Sequence, residues 1–222
     1  VIRQIRPNRS RTAISVSAVA LLAAPLLAGC GSAPRPGAAA VVDGERITVS
    51  ELQARVADVR DAQGATEQSA QLIQDTGQLS RATLNGMIFD RVLARAADDA
   101  GVSVSRRDVQ KAQDEAEKSA GGAARLRAMW LQQYAIGPDQ VESTVRNQVA
   151  MDKLAKALGV DRAAPDGQAK IVDALREASS GMGIDVSPRY GTWDDRKVLL
   201  GNVKTRWLRE VSAAGAQAER QG

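Results

Sequence analysis

A mainly α fold is what this sequence predicts: a small N-terminal β-hairpin, a bundle of helices after it, and a short strand returning near the C-terminus. Three observations lead there. Asp43-Gly44 lies between two short apolar runs, the strongest short signal for a tight hairpin turn. From residue 48 onward, apolar residues recur three and four positions apart, in blocks bounded by Ser or Thr on one side and Gly on the other. The core must also be aliphatic, since 222 residues hold three Trp, two Tyr and one Phe. Ala, Leu, Val and Ile then fill it, which favours closely approaching helices over a sandwich of large side chains.

Ahead of the fold stands an export signal. Arg3, Arg6, Arg9 and Arg11 precede an apolar run from Ala13 to Ala28, too short to span a bilayer permanently. The run ends in Leu27-Ala28-Gly29-Cys30, which resembles a bacterial lipobox at all four positions. That resemblance implies a lipoprotein signal peptide over 1–29, cut before Cys30, with the Cys30 thiol carrying the lipid. The expected location is the outer face of the cell membrane, anchored and not spanning, because two or three acyl chains hold firmly where one does not.

Removing residues 1–29 changes the charge balance. The chain has 30 basic and 26 acidic residues, and the four arginines of the signal leave 26 of each. A basic balance would point to nucleic acid; a neutral one gives no reason to expect it as a partner. Lipidation uses the single Cys, so no disulfide forms within the chain. The chain has no His, which excludes Ser-His-Asp and Cys-His nucleophilic systems and His-ligated zinc. No D-x-D-x-D-G calcium loop and no Gly-rich phosphate loop occurs. No catalytic residue, metal ligand or cofactor site is expected, and the chain reads as a non-enzyme.

Along the remaining chain, residues 30–40 form a Pro/Gly linker from the anchor, running into a hairpin over Ala38 to Thr48. Thr48 and Glu51 spell a capping box, and Leu52, Val56 and Val59 share the helical face that follows. Gly64 to Gly77 is polar and Gln-rich, a loop or frayed helix end. From Ser80 the stripe Leu84, Met87, Ile88, Val92 and Ala96 predicts a second helix, ended by Gly101. Ser105 caps a weakly amphipathic helix over 106–120, on Val109, Ala112 and Ala116.

Gly121-Gly122 separates it from a helix with the stripe Leu126, Met129, Trp130 and Tyr134. Gly137-Pro138 opens a helix that carries Val141, Val145 and Val149 on one side and Met151, Leu154 and Leu158 on another, so its halves face different neighbours. A loop at 163–167 precedes a last helix on Ile171, Val172, Leu175 and Ala178. Gly183 to Gly191 alternates apolar and polar and contains Pro188, which predicts a short edge strand. Residues 201–222 are a short helix or a disordered tail. Trp193 and Trp207 are expected to be buried anchors.

Two blocks now carry a resemblance. Val41-Val42-Asp43-Gly44-Glu45-Arg46-Ile47-Thr48-Val49-Ser50-Glu51-Leu52 is similar to the V-N-G-x-x-I-T-x-x-E-L opening of the N-terminal chaperone domain of the SurA and PrsA group, itself related to the chaperone arm of trigger factor. Leu84 to Val109 resembles the same group's helix with its G-(I/V)-x-V-S-x-x-(D/E)-V continuation. The likeness implies a chaperone-like helical bundle over 41–200, with Ile184 to Tyr190 as a returning segment beside the hairpin. In that group a parvulin prolyl-isomerase domain with paired histidines is inserted where this chain has only the loop 159–167. The resemblance therefore implies a chaperone without isomerase activity, whose partners are unfolded or exported polypeptides and, through the lipid, the membrane. Met87, Met129 and Met151 are adaptable apolar groups suited to such contacts, and equally suited to core packing. The other reading left open is a structural or adaptor lipoprotein for one dedicated envelope partner.

Overall fold

The computed structural model describes residues 36–65 and 76–201 of the 222-residue chain. The lipobox residues Leu27, Ala28, Gly29 and Cys30, most of the linker, and residues 202–222 with Trp207 lie outside the described residues.

Strand β1 (Ala38–Val42) and strand β2 (Glu45–Thr48) pair antiparallel around Asp43-Gly44. Both turn residues have positive φ, 53° and 77°, as this two-residue turn requires. β1 begins at Ala38, so Ala38 to Ala40 belong to the domain and not to the linker that a boundary at residue 40 implies. Ala39 to Val42 are all buried, because β1 is the central strand of three in the order β2-β1-β3. Strand β3 (Asp185–Val186) pairs antiparallel with β1, Ala40 opposite Val186. The returning segment thus lies at the hairpin, as the resemblance implies, and it is an edge strand. It is shorter than the alternating pattern predicts. Pro188 has no N–H to donate, and the chain turns there, with Tyr190 N–H bonded to Ser187 C=O at 2.9 Å.

Helix α1 (Val49–Gly64) starts at the predicted capping box, with Thr48 accepting from Glu51 N–H and Glu51 accepting in return. Leu52, Val56 and Val59 are buried. The helix extends to Gly64, and helix α2 (Thr76–Asp99) begins four residues before the expected Ser80, with Gly77 inside it. Residues 66–75 lie outside the described residues. Gly101 follows α2 at φ 68°, where the left-handed C-terminal glycine was expected.

Helix α3 (Arg106–Ala120) and helix α4 (Ala123–Tyr134) are divided by Gly121 and Gly122, both at positive φ. On α4, Leu126 and Trp130 are buried together with Leu131, whereas Met129 and Tyr134 are exposed at 37% and 65%. The predicted four-residue stripe is therefore only half a core face, because α4 packs on one side alone. Gly137-Pro138 opens a 3₁₀ turn (Pro138–Gln140), and helix α5 (Val141–Ala157) follows it. The two halves of α5 do serve different cores. Val141 and Val145 join Val109, Leu126 and Trp130 in a small cluster, and Ala150, Leu154 and Ala155 enter the large one. That large core surrounds α2, with Leu84, Ile88 and Val92 fully buried against α1, β1, β2 and helix α6 (Pro165–Gly181). Residues 158–164 join α5 to α6.

A second hairpin was not anticipated: strand β4 (Trp193–Asp194) and strand β5 (Leu199–Leu200). Two residues per strand give no readable periodicity, and polar ties to the helices hold it. Trp193 Nε1 donates to Ser179 Oγ at 2.8 Å, which donates to Asp195 Oδ1 at 2.6 Å. Leu200 N–H bonds Asn85 Oδ1 at 2.8 Å. Trp193 packs against the large core as an anchor, but it is half-buried where the sequence predicts full burial.

One charged tie joins α3 to α5. Asp108 completes the Ser105 capping box and accepts from Lys153 Nζ at 2.7 Å. The Lys153 ammonium, followed by the Ser105 hydroxyl and N–H, holds the Asp108 carboxyl far below the usual carboxylate range. An unfolded aspartate takes up its proton near pH 4, so as pH falls below that value the unfolded chain binds the proton first. Stability from this contact is complete above about pH 4 and erodes below it. Asp108→Asn should lower the melting temperature at pH 7, and the gap from the parent should shrink steadily between pH 4 and pH 2. A gap that stays constant across this range would refute the coupling.

Candidate functional site

Among the described residues, α1, α2, the end of α4 and the start of α5 converge on a cleft of about 190 Å³ that is lined by both apolar and polar side chains. Its volume is below the roughly 300–1,000 Å³ of sites that enclose small cofactors. It is a groove open to solvent.

The long helix α2 makes one wall. Leu79, Thr83, Met87 and Asp90 recur at three- and four-residue spacing and so share one face. Gly86 lies on the same wall, and a Cβ there would meet nothing within 4 Å, so the absent side chain leaves the groove open. The opposite wall starts at Tyr134 and Ile136, where α4 ends in the left-handed residue Ala135 at φ 51°. The 3₁₀ turn next to it is fixed from α1: Asp58 Oδ2 accepts from Asp139 N–H at 3.3 Å, and a Cβ on Gly137 would overlap that carboxylate. Glycine there lets the chain pass against α1. The start of α5 supplies the neighbours Ser143 and Thr144, with Asn147 one turn further on.

Polar groups meet at the floor. Asn147 Nδ2 donates to Asp90 Oδ1 at 2.6 Å, and Arg55 Nη1 stands 3.5 Å from Asp90 Oδ2. Burial pushes the Asp90 carboxyl up from its ordinary value, and the Asn147 amide and the Arg55 guanidinium act in the opposite direction. Asp90 has neither a paired carboxylate nor an imidazole near it. Among the described residues no group of three or more His, Cys, Asp or Glu is placed to hold a metal ion.

Of the residues singled out in the sequence, Met87 reaches this cleft as part of its wall, 8% exposed. Met151 packs half-buried against the large core, and Met129 lies exposed elsewhere on α4. Leu27, Ala28, Gly29 and Cys30 are outside the described residues. Sequence reasoning missed Arg55, Asp90 and Asn147. Asp90 did leave a trace, as a charged residue three positions after Met87 on an otherwise apolar face. Arg55 and Asn147 left none.

A long central helix, a three-stranded sheet and further helices around an open cleft define a mainly helical domain. The family follows from a direct match: the family model described as SurA-like N-terminal domain covers residues 1–155, and the chain belongs to that family. Membership points to a chaperone-like role. The matched segment ends inside α5, so α6 and the strands β3, β4 and β5 lie beyond it. No curated protein and no solved structure matches the chain.

Proposed function

We propose that this protein is a lipid-anchored extracytoplasmic holdase, which binds unfolded or exported polypeptides and does not catalyse prolyl isomerisation. The observation that carries this is the SurA-like family match over residues 1–155. The open cleft supports it, since a groove with Met87, Leu79 and Ile136 on its walls and no enclosed cavity suits a passing chain. The L-A-G-C motif supports the anchor, and no helix of the described residues is long and apolar enough to cross a membrane. The absence of His and the short connection 158–164 support the lack of isomerase chemistry of the parvulin type.

The test uses the protein carried in lipid vesicles, mixed with several unrelated denatured proteins. It should slow their aggregation in proportion to its concentration, and leave prolyl isomerisation in a refolding assay at its uncatalysed rate of tens to hundreds of seconds. Acceleration that scales with protein concentration would overturn the non-enzyme half. No effect on aggregation, with one stoichiometric partner recovered by crosslinking, would replace the holdase with an adaptor.

A further inference from the structure

The cleft has apolar walls, but the polar groups on its floor decide what it can recognise. Arg55 and Asp90 face each other across 3.5 Å, so the two full charges of the lining balance and no net field favours a charged ligand. Neutral dipoles remain. Asn147 uses one amide N–H on Asp90 at 2.6 Å, which orients the amide; its Oδ1 and second N–H have no partner among the described residues. Ser143 and Thr144 donate their hydroxyl hydrogens to Gln140 C=O at 2.9 and 2.8 Å, so their oxygens are left as acceptors. Gln140 donates through Nε2 to Arg55 C=O at 3.3 Å, which leaves its Oε1 as a further acceptor.

An oriented amide with one donor and one acceptor available is the complement of a peptide group, which offers one of each. A lysine or arginine side chain offers donors alone, so it would leave the second Asn147 N–H unmet and find no net negative charge in the lining. We infer that the cleft reads the main chain of an extended polypeptide segment, with Asn147 pairing one exposed peptide group and Met87 receiving an adjacent aliphatic side chain. This inference rests on the holdase reading and deepens it. Main-chain recognition explains how such a site tells unfolded from folded chains: in a folded protein the peptide groups are already paired in helices and sheets. It also makes the site tolerant of sequence, because every residue except proline carries the same N–H and C=O.

The decisive experiment measures fluorescence anisotropy of a fluorescein-labelled nonapeptide, repeating Ser-Leu-Ala, with the full-length protein in lipid vesicles. Three further peptides are compared: one methylated on every main-chain nitrogen, one with leucine replaced by alanine, and one with serine replaced by lysine. Methylation should weaken binding at least about tenfold, since it removes every main-chain donor. Lysine should change affinity less than about threefold, because the lining has no net charge to offer it. Asn147→Leu should weaken the parent peptide by a similar factor and cause no further loss with the methylated one, as expected for a shared interaction.

The methylated comparison needs no variant, so a poorly folding Asn147→Leu protein leaves the test intact. Equal binding of parent and methylated peptides overturns main-chain reading, as does strong preference for the lysine peptide. If no peptide binds while aggregation is still slowed, main-chain reading in this cleft falls and the holdase stands on another surface. If both fail, both fall.

Discussion

Replacing Cys30 by alanine should abolish acylation of this protein entirely and release it from, or strand it at, the membrane as an uncut precursor. The thiol is the only one in the chain, so no second cysteine can accept the lipid. Each buried methylene of an acyl chain contributes about 0.8 kcal/mol to membrane binding, and stable anchoring takes two chains or a second signal. The charge balance after residue 29 supplies no such second signal, with 26 basic and 26 acidic residues. Between Cys30 and Gly37 the chain reaches at most about 25 Å when fully extended. The Gly37 carbonyl is bound by Val49 N–H at 2.8 Å, so the described chain enters the domain beside the first turn of α1. Labelled palmitate incorporation, gel mobility and an alkaline membrane wash read the outcome. A Cys30→Ala protein that is processed and retained like the parent, with no acyl label on the parent, would end the lipoprotein proposal.

Ile88→Ala should destabilise the fold by about 3 kcal/mol, within the 2–5 kcal/mol typical of buried isoleucine truncations. Ile88 is fully buried on α2, between Leu84 and Val92, in the core that α2 shares with the hairpin, α1, α5 and α6. Because so many elements meet on this one face, no single neighbour can move in to fill the space. Alanine's better helix propensity returns only a few tenths of a kcal/mol. At roughly 2–4 °C per kcal/mol for a chain of this size, the melting temperature should fall by about 6–12 °C. Val172→Ala is the control: Val172 is exposed at 37% on α6, and its loss should stay near 0.5 kcal/mol. A drop of less than about 1 kcal/mol at Ile88, by denaturant titration, would mean that the core is not organised around this face of α2.

The contrast between Met87 and Met129 shows where sequence pattern stops being informative. Both stand on apolar stripes at helical spacing, and nothing local separates them. α2 is packed on several sides, which puts Met87 on a cleft wall at 8% exposure; α4 is packed on one side, which leaves Met129 in solvent at 37%. Partner number is a property of the assembled domain. The same reason hid the second hairpin, since the paired residues Trp193 and Leu200 are tied to Ser179 and Asn85 on two different helices.

What the sequence by itself determined is local. The Asp43-Gly44 turn, the capping boxes at Thr48 and Ser105, and the glycines after α2 and α3 each act through hydrogen bonds or dihedral preferences within three or four residues. Such interactions involve only neighbours in sequence, so their signals survive in the order of residues. The family resemblance drew on these same signals, together with the helical stripes. The resemblance placed the returning segment beside the hairpin, and the tertiary structure decided that only Asp185 and Val186 pair there, with β1 as the partner strand. The tertiary structure alone brought Arg55, Asp90 and Asn147 from three helices to one floor, the last two 57 residues apart. Those contacts depend on how amphipathic faces share a common core, and packing free energy depends on all the elements together, which no window of sequence contains.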